Sequence, residues 1–222
     1  PNGRPAWEHA GAVFVTDVTP YELMKLRLLN GSHSTLAYMG NLAGYETVAE
    51  AMEAPGMANL LERLMREASE TLPALPGIQL ADYRAALIAR FRNPALRHRT
   101  AQIAMDGSQK LPQRLLGTIR DRLAKGQGIE PFALGVAAWM RYATGVKENG
   151  EPFAVSDPLA ARIEELTAGR TSAEALVAAY LALDQVFGDL AGNAGFRAAV
   201  TSALAGLISN GAAAAVAAFS KA

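Results

Sequence analysis

Apolar residues recur at intervals of three and four along most of this chain. Between residues 57 and 65 they are Met57, Leu60, Leu61, Leu64 and Met65. This spacing places them on one face of a helix, as a stripe that faces a core requires. One early stretch, 12–16 (AVFVT), is instead short, apolar and β-branched, which predicts a strand.

Polar residues followed by proline mark where several helices are expected to begin. The stretch Thr19-Pro20-Tyr21-Glu22 predicts a capping box with proline at the first helical position. The same signal recurs at Asn93-Pro94 and Asp157-Pro158, and more loosely at Glu130-Pro131. Gly107, Gly126 and Gly145 each follow a helical stretch and suit left-handed C-terminal caps.

These signals together predict a mostly α fold, a multi-helical single domain of about ten helices with a short N-terminal strand. Asn149-Gly150 favours a tight turn, so we expect one small hairpin or loop near 145–157. Alanine is the best helix former, so the tail 212–218 is interpreted as a packed helix. The predicted helices cover 20–39, 46–53, 57–71, 82–92, 95–105, 111–125, 131–144, 158–168, 172–187, 194–209 and 211–220.

Composition narrows the classes of function. The 222 residues carry 21 basic and 21 acidic side chains, so no net charge draws the chain to nucleic acid or anionic lipid. We found no run of about 18 uncharged apolar residues, and expect no membrane partner. The absence of cysteine excludes disulfides and thiolate zinc sites and fits a cytoplasmic location. The first residues, PNGRPAW, include no initiating methionine and no signal peptide, so we expect a fragment of a longer chain.

Three polar groups stand out in residues 24–35 (MKLRLLNGSHST). On a helix of about 100° per residue, Lys25, Asn30 and His33 share one arc, whereas Arg27 falls outside it and is expected to face water. A solvated lysine and a core histidine are the commoner interpretation of such residues. The alternative is an apolar-walled cleft in which burial lowers the pKa of Lys25. The lysine could then exchange a proton with a hydroxyl while Asn30 and His33 donate to an oxygen that gains negative charge.

A second polar cluster lies in residues 90–114 (RFRNPALRHRTAQIAMDGSQKLPQR). Basic residues near a helix C-terminus also serve to offset the helix dipole. The number of donors nonetheless suits a substrate that is rich in hydroxyls or carries a carboxylate. The donors are Arg97, His98, Arg99, Gln102, Ser108, Gln109 and Lys110.

Three segments of the chain resemble those of a known family. The spacing K-x4-N-x2-H in KLRLLNGSHS, the stretch NPALRHRTAQIAMDGSQKLPQR and the stretch ALGVAAWMRY are similar to the mannitol dehydrogenase family, the polyol-specific long-chain dehydrogenases. This family includes mannitol 2-dehydrogenase and the fructuronate and tagaturonate reductases. The resemblance extends from about Thr16 to the end of the chain.

The resemblance implies a domain organisation. Members have an N-terminal Rossmann domain for NAD or NADP and a helical substrate domain, so 1–18 would be a connector or strand remnant and 19–222 the helical domain. The chain itself carries only Gly126-Gln127-Gly128, which follows a predicted helix and never completes G-x-G-x-x-G. We therefore expect that the Rossmann domain is missing from this chain and that the fragment alone is inactive. We also expect an exposed apolar patch where the Rossmann domain docks, and this patch can drive dimer formation.

The resemblance also implies the roles of single residues in a reaction that interconverts an alcohol and a ketone at C2 of a sugar alcohol or sugar acid. Lys25 would be the general acid/base, Asn30 and His33 would position and polarise the reacting oxygen, and Lys110 would line the substrate pocket. Mannitol dehydrogenases carry a substrate-contacting arginine eight residues before that lysine.

Here that position holds Gln102, with Arg99 one turn earlier and His98 beside it. The departure makes a sugar acid a serious alternative to a polyol as substrate. Family members use no zinc, in line with only three scattered histidines, His9, His33 and His98. The competing interpretation is a non-catalytic helical module for binding or assembly that keeps the fold.

Overall fold

Helices account for most of residues 3–221, which are the residues that this computed structural model describes. The predicted mostly α, single-domain class is confirmed. The α-helices, in chain order α1 to α13, are Thr19–Met24, Gly31–Leu42, Val48–Met52, Met57–Ser69, Leu80–Phe91, Thr100–Ala104, Gly107–Leu111, Gly117–Ala124, Glu130–Ala143, Ala160–Thr167, Ala173–Leu181, Asp184–Phe187 and Ala194–Ala217. Two π-helical turns, π1 (Lys25–Asn30) and π2 (Pro112–Leu116), join α1 to α2 and α7 to α8. Short 3₁₀ segments cover Trp7–Ala10, Pro94–Leu96, Gly188–Gly192 and Ala218–Lys221.

The centre of the fold is the pair α2 and α9. Helix α9 packs against both α2 and α13, and α2 also packs against α6. Nearly every residue of α9 is buried, including Phe132 and Trp139. Helices α2 and α9 approach closely at Gly135, where a Cβ atom would lie 2.5 Å from Oγ1 of Thr35. The start of α2, which carries the predicted site, is therefore held on a rigid core.

The predicted strand at 12–16 is wrong. Residues 3–18 form the short 3₁₀ turn Trp7–Ala10 and then an irregular extended segment, and all of them are exposed. A β-branched run forms a strand only where another strand offers backbone partners. No strand is present in residues 3–221 to pair with this segment.

The predicted capping box at Thr19 is also wrong, because Thr19 is the first helical residue and the N-cap position is Val18. Oδ1 of Asp17 accepts the backbone N–H of Thr19 at 2.9 Å, and Pro20 lies in the first turn. A full capping box occurs instead at α3. There Oγ1 of Thr47 accepts from the N–H of Glu50, whose carboxylate accepts from the N–H of Thr47. Both devices satisfy backbone donors that the first helical turn leaves without partners.

The predicted helix 95–105 is interrupted because its middle pairs with another segment. Arg97 has a left-handed φ of 44°, and the carbonyl oxygen of His98 accepts the N–H of Val48 at 2.9 Å. The N–H of Thr100 in turn donates to the carbonyl oxygen of Glu46 at 2.9 Å, after which α6 begins. Tertiary hydrogen bonds thus replace the helical ones in this stretch.

The predicted helix 172–187 is also divided, at 182–183, with an 81° bend between α11 and the segment Asp184–Gly192.

The hairpin predicted near 145–157 is present. Val146 and Pro152 form an antiparallel bridge, and Gly150 has the positive φ of 85° that its turn requires. Glu148, near the tip of this hairpin, accepts the N–H of Ala212. This contact caps the second half of α13 where Gly211, with φ of 81°, breaks the helix between the two predicted halves.

Two of the three predicted glycine caps are confirmed. Gly126 and Gly145 have φ values of 66° and 69°. Gly107 does not, since it lies inside α7 and the left-handed residue before it is Asp106, with φ of 55°. Glycine is required at 107 for space: a Cβ atom there would lie 2.2 Å from Nε1 of Trp139 and 2.6 Å from the hydroxyl oxygen of Tyr38.

The C-terminal helix differs from the expectation that no segment is apolar enough to cross a membrane. The stretch Ala194–Ser220 meets that criterion by length and by its mean hydropathy of 1.5. Only 22% of its apolar window is buried in this domain. This stretch is bent at Gly211 and packs Phe196, Val200 and Leu204 against the core.

Candidate functional site

The π1 turn carries the residues Lys25 and Asn30. In this turn the backbone N–H of Gly31 donates to the carbonyl oxygen of Leu26, five residues earlier. One wide turn therefore separates Lys25 from Asn30, and one α-helical turn separates Asn30 from His33. Such single π turns occur often at functional sites. This backbone places the three residues on one side of the continuous helical stretch 19–42.

The expected exposure of Arg27 is wrong, because the side of the helix that was expected to face water is the side that packs against the domain. Arg27 is only 9% exposed, and its Nη1 donates to Oδ2 of Asp121 at 2.5 Å and to Oγ1 of Thr71 at 2.6 Å. Lys25 and Arg27 do lie on opposite sides of the helix, as the wheel placed them. The side of Arg27 packs against α8 and the end of α4, whereas the side of Lys25 faces solvent. A residue that was expected to face water instead ties π1 to α8 and to the end of α4.

The expected burial of Lys25 is also wrong for this chain. The side chain of Lys25 is exposed, while Asn30 and His33 are half-buried. An exposed ammonium is solvated by water, so this domain by itself does not supply the desolvation that a lysine base near neutral pH requires. The site is an open face and not a closed cleft.

The ring of His33 lies at the inner edge of this face. It stacks on Phe91 with 5.2 Å between ring centroids, and the ring of His98 lies 5.9 Å away. Nε2 of His33 is buried and has no hydrogen-bond partner among the described residues. Burial lowers the pKa of His33 to about 4, and nearby basic side chains add to the shift; in order of effect they are His98, Arg114, Arg90 and Lys110.

The second π turn places an arginine beside Ser34, the residue that follows this histidine. A Cβ atom on Gly31 would lie 2.7 Å from the carbonyl oxygen of Arg114, so π1 and π2 touch through backbone. Nη1 of Arg114 donates to the buried hydroxyl of Ser34 at 2.9 Å. Sequence reasoning missed Arg114 as a site residue. The available signal was its position four residues after Lys110, which puts both residues on one helix face.

Lys110 lies near the same cluster, where it contacts the end of α6. Its Nζ donates to the carbonyl oxygen of Met105 at 2.5 Å and lies 3.4 Å from that of Ile103. Burial lowers the pKa of Lys110, and the charge of Arg114 adds to this effect. Among the other donors predicted for this cluster, Ser108 has a structural role, because its hydroxyl and N–H both donate to the carboxylate of Asp157. Gln109 and Arg97 are exposed.

The structure separates the predicted substrate-binding residues into two groups. His98 and Lys110 lie with His33, as described above. Arg99 and Gln102 are exposed and line a different cavity of about 400 Å³ between α6, the end of α9 and the hairpin. Its other lining residues are Asn41, Ala101, Met105, Tyr142, Phe153, Ala154 and Ser156. The left-handed turn at Arg97 separates the two groups. After this turn His98 lies towards α2, and α6 begins only after His98.

Another cavity, of about 360 Å³, lies between α4 and α5, where Arg63, Arg66 and Arg84 line it. It includes none of the predicted site residues. Within residues 3–221, no group of three or more histidine, aspartate or glutamate side chains is placed to hold a metal ion. The groups available to a ligand at the open face are nitrogen donors: two ammonium groups, an amide, two imidazoles and a guanidinium.

Residues 17–208 match the family model described as mannitol dehydrogenase C-terminal domain. Among curated relatives, D-mannonate oxidoreductase of Escherichia coli is 50% identical over 213 residues, which cover 95% of this chain and 44% of that protein. Mannitol 2-dehydrogenase of Pyrenophora tritici-repentis is 38% identical over 192 residues, with coverage of 85% and 33%. The chain thus spans less than half the length of these relatives.

Solved structures agree with the sequence comparison. The mannitol 2-dehydrogenase of Pseudomonas fluorescens, solved as a ternary complex with NAD and D-mannitol, superposes with a TM-score of 0.89 at 38% identity. The superposition covers 97% of this chain and 44% of that one. A substrate-free D-sorbitol dehydrogenase gives a TM-score of 0.83 at 28% identity. The resemblance drawn from the three sequence segments is confirmed: this chain belongs to the mannitol dehydrogenase C-terminal domain family.

Proposed function

We propose that this chain is the substrate-binding and catalytic domain of an NAD- or NADP-dependent oxidoreductase that interconverts a secondary alcohol and a ketone at C2 of a sugar acid or sugar alcohol. The observation that carries the proposal is the placement of Lys25, Asn30 and His33 on one side of a helix, with Nε2 of His33 lacking a partner. A buried nitrogen without a partner is costly unless a ligand oxygen completes it.

Each of the three residues has one role in this reaction. Lys25 takes the hydroxyl proton as the alcohol is oxidised and returns it when the ketone is reduced. Asn30 and His33 donate to the same oxygen and stabilise the negative charge that develops on it. The nicotinamide, when bound, accepts or supplies the hydride at C2. Charge and atoms balance, because the alcohol loses one hydride to the cofactor and one proton to Lys25.

The basic residues around His33 favour a sugar acid over a neutral polyol. His98, Lys110 and Arg114 lie near the ring. Nζ of Lys110 lies 3.9 Å from Oδ2 of Asp106, but the described residues place no carboxylate in direct contact with Arg114. A substrate carboxylate would offset this charge through charge-assisted hydrogen bonds. Arg99 and Gln102 would reach the substrate only from the far side of α6, so we assign them to more distant hydroxyl groups.

Because Lys25 is exposed, the proposed reaction requires a second domain that covers the open face. We propose that an N-terminal Rossmann domain docks there and supplies both the cofactor and the desolvation of Lys25. The segment 3–18 presents apolar side chains that such a docking would bury: Trp7, Val13, Phe14, Val15 and Val18. Leaving such a set in water is unfavourable, and it marks an interaction surface.

The exposure of Lys25 also fits a second candidate function. A non-catalytic helical module for binding or assembly would also carry a solvated lysine at position 25. Such a module has no need for the unpartnered nitrogen of His33, which is why we favour the enzyme.

A domain exchange tests the proposal. The segment of Escherichia coli D-mannonate oxidoreductase that matches this chain is replaced by residues 1–222, and NAD-dependent oxidation of D-mannonate and D-mannitol is measured. We expect turnover, with a preference for the acid. A chimera that binds NAD and is folded but oxidises neither compound would refute the catalytic assignment and support the module.

A further inference from the structure

The cavity of about 360 Å³ between α4 and α5 shares no lining residue with the proposed catalytic face. Its charged lining residues are three arginines, Arg63 and Arg66 from α4 and Arg84 from α5, and one glutamate, Glu62. The remaining lining residues are Asn59, Ala81, Ala85 and Phe219. The volume falls within the usual range for small-molecule sites. The wall therefore combines an excess of positive charge with some apolar surface.

Two of the three arginines are held in place by the fold. Nε of Arg63 donates to the carboxylate of Glu67 at 2.7 Å, and its Nη2 donates to that of Glu130 at 2.9 Å. Nη1 of Arg84 donates to Oγ of Ser69 at 3.1 Å. Both arginine side chains are half-buried. Because these guanidinium groups are oriented before a ligand arrives, a ligand that binds them loses less free energy to ordering.

The positive charges of Arg66 and Arg84 are not offset by the protein. Among residues 3–221, no carboxylate forms an ion pair with either guanidinium. Glu62 lies one helical turn before Arg66 and is exposed, and it forms no ion pair with a lining arginine in this part of the chain. Most of the N–H donors of Arg66 and Arg84 therefore remain open to a ligand.

We propose that this cavity binds a small polyanion, a polycarboxylate or a phosphate ester, through Arg66 and Arg84, with Arg63 beside them. Guanidinium groups bind carboxylate and phosphate oxygens through paired, charge-assisted hydrogen bonds. The ligand needs more than one negative charge, because it has to match two unpaired guanidinium groups and face the carboxylate of Glu62. The ring of Phe219, which lies 5.9 Å from the guanidinium of Arg63, offers apolar surface to the carbon skeleton of such a ligand. This site is separate from the one proposed for the substrate.

Isothermal titration calorimetry of the 222-residue chain with citrate and with pyrophosphate tests the proposal. We expect saturable binding of at least one of these anions, at one site per chain. Arg66→Gln and Arg84→Gln should each weaken the binding about tenfold, the effect of losing a charge-assisted hydrogen bond. Glu62→Gln should strengthen it, because an opposing charge is removed. Arg170→Gln is the matched control, since it removes an exposed arginine that lines neither cavity, and it should leave the affinity unchanged.

Binding of citrate alone would assign the site to polycarboxylates, and binding of pyrophosphate alone would assign it to phosphate esters. The absence of saturable binding for both anions would overturn the proposal. Equal weakening in Arg170→Gln would also overturn it, because it would indicate a non-specific effect of charge. Unchanged affinity in Arg66→Gln or in Arg84→Gln would do the same, because it would place the anion elsewhere, such as at the open face around His33.

The variants alter exposed or half-buried side chains, so we expect them to fold. If Arg84→Gln does not fold, Arg66→Gln decides, since Arg66 makes no hydrogen bond to the described residues that the change would break. The titration needs no cofactor and measures no turnover. Its failure is therefore distinguishable from a failure of the proposed function.

Discussion

Gly31 and Arg114 bring the two π turns of this domain into backbone contact. A Cβ atom on Gly31 would lie 2.7 Å from the carbonyl oxygen of Arg114 and would force one turn away from the other. Each π turn is followed directly by a glycine, Gly31 after π1 and Gly117 after π2. The second glycine is not crowded, since a Cβ atom there would lie 3.6 Å from Nη2 of Arg27, an ordinary contact distance.

This difference makes the two glycines a matched pair for mutation. Gly31→Ala should lower the free energy of unfolding by about 1–3 kcal/mol, because backbone has to shift. Gly117→Ala should be neutral or slightly stabilising, because alanine favours the helix by up to about 1 kcal/mol. Urea denaturation of both variants measures the two effects. Equal changes in the free energy of unfolding in the two variants would show that the close approach at Gly31 does not contribute to stability.

Lys25→Ala, introduced into the domain-exchange chimera, should lower turnover by about 10²–10⁴, the usual contribution of a general acid/base. The affinity for NAD should change little, because the proposed role of Lys25 is in proton transfer. Lys125→Ala is the control, since Lys125 is also exposed but lies at the end of α8, where its ammonium contacts the carbonyl oxygen of Glu70. Turnover that survives Lys25→Ala would remove Lys25 from the mechanism.

His33 should make stability depend on pH in acid. Its pKa is lowered to about 4 from 6.5, mainly by burial, so between these values the unfolded chain binds a proton that the folded chain does not. The free energy of unfolding should therefore fall as pH drops from about 6.5 to about 4, by up to about 3 kcal/mol from this group. Well above pH 6.5 the group contributes no slope, because it is deprotonated in both the folded and the unfolded chain.

Denaturation at several pH values in this window checks the sign and the source of the effect. His33→Gln should flatten the slope, and His9→Gln, a change in the exposed N-terminal segment, should leave it intact. A slope that persists in full in His33→Gln would assign it to carboxylates instead.

Arg27 should contribute to stability through a partly buried ion pair. Arg27→Met removes the bonds to Asp121 and Thr71, and should lower the free energy of unfolding by about 1–3 kcal/mol. The partial exposure of Asp121 limits the loss, because water can solvate the carboxylate that remains. Arg162→Met, which removes the exposed pair with Glu165, should change stability by no more than about 0.5 kcal/mol. Similar losses in both variants would argue against a structural role for Arg27.

The errors of the sequence analysis share one physical origin. Arg27 is buried because its side of the helix packs against α8 and the end of α4, and a helical wheel gives the relative directions of side chains but not which side is covered. The left-handed Arg97, which divides the predicted helix 95–105, is set by backbone pairing with Glu46 and Val48, some fifty residues earlier in the chain. The segment 12–16 has strand-forming residues but no partner strand among the described residues. In each case the presence or absence of contacts with distant parts of the chain decided the outcome.

The sequence by itself determined the helical class, the core stripe of α4, the hairpin at 145–157 and the residue types that mark the family. These depend on periodicity, turn chemistry and spacing, which act over a few neighbouring residues. Only the tertiary structure decided that Lys25 is exposed, that Arg27 is buried and that Arg114 lies beside Ser34. Burial and the proximity of charges depend on which helices pack together, and residues eighty positions apart, such as Ser34 and Arg114, meet only once the chain has folded.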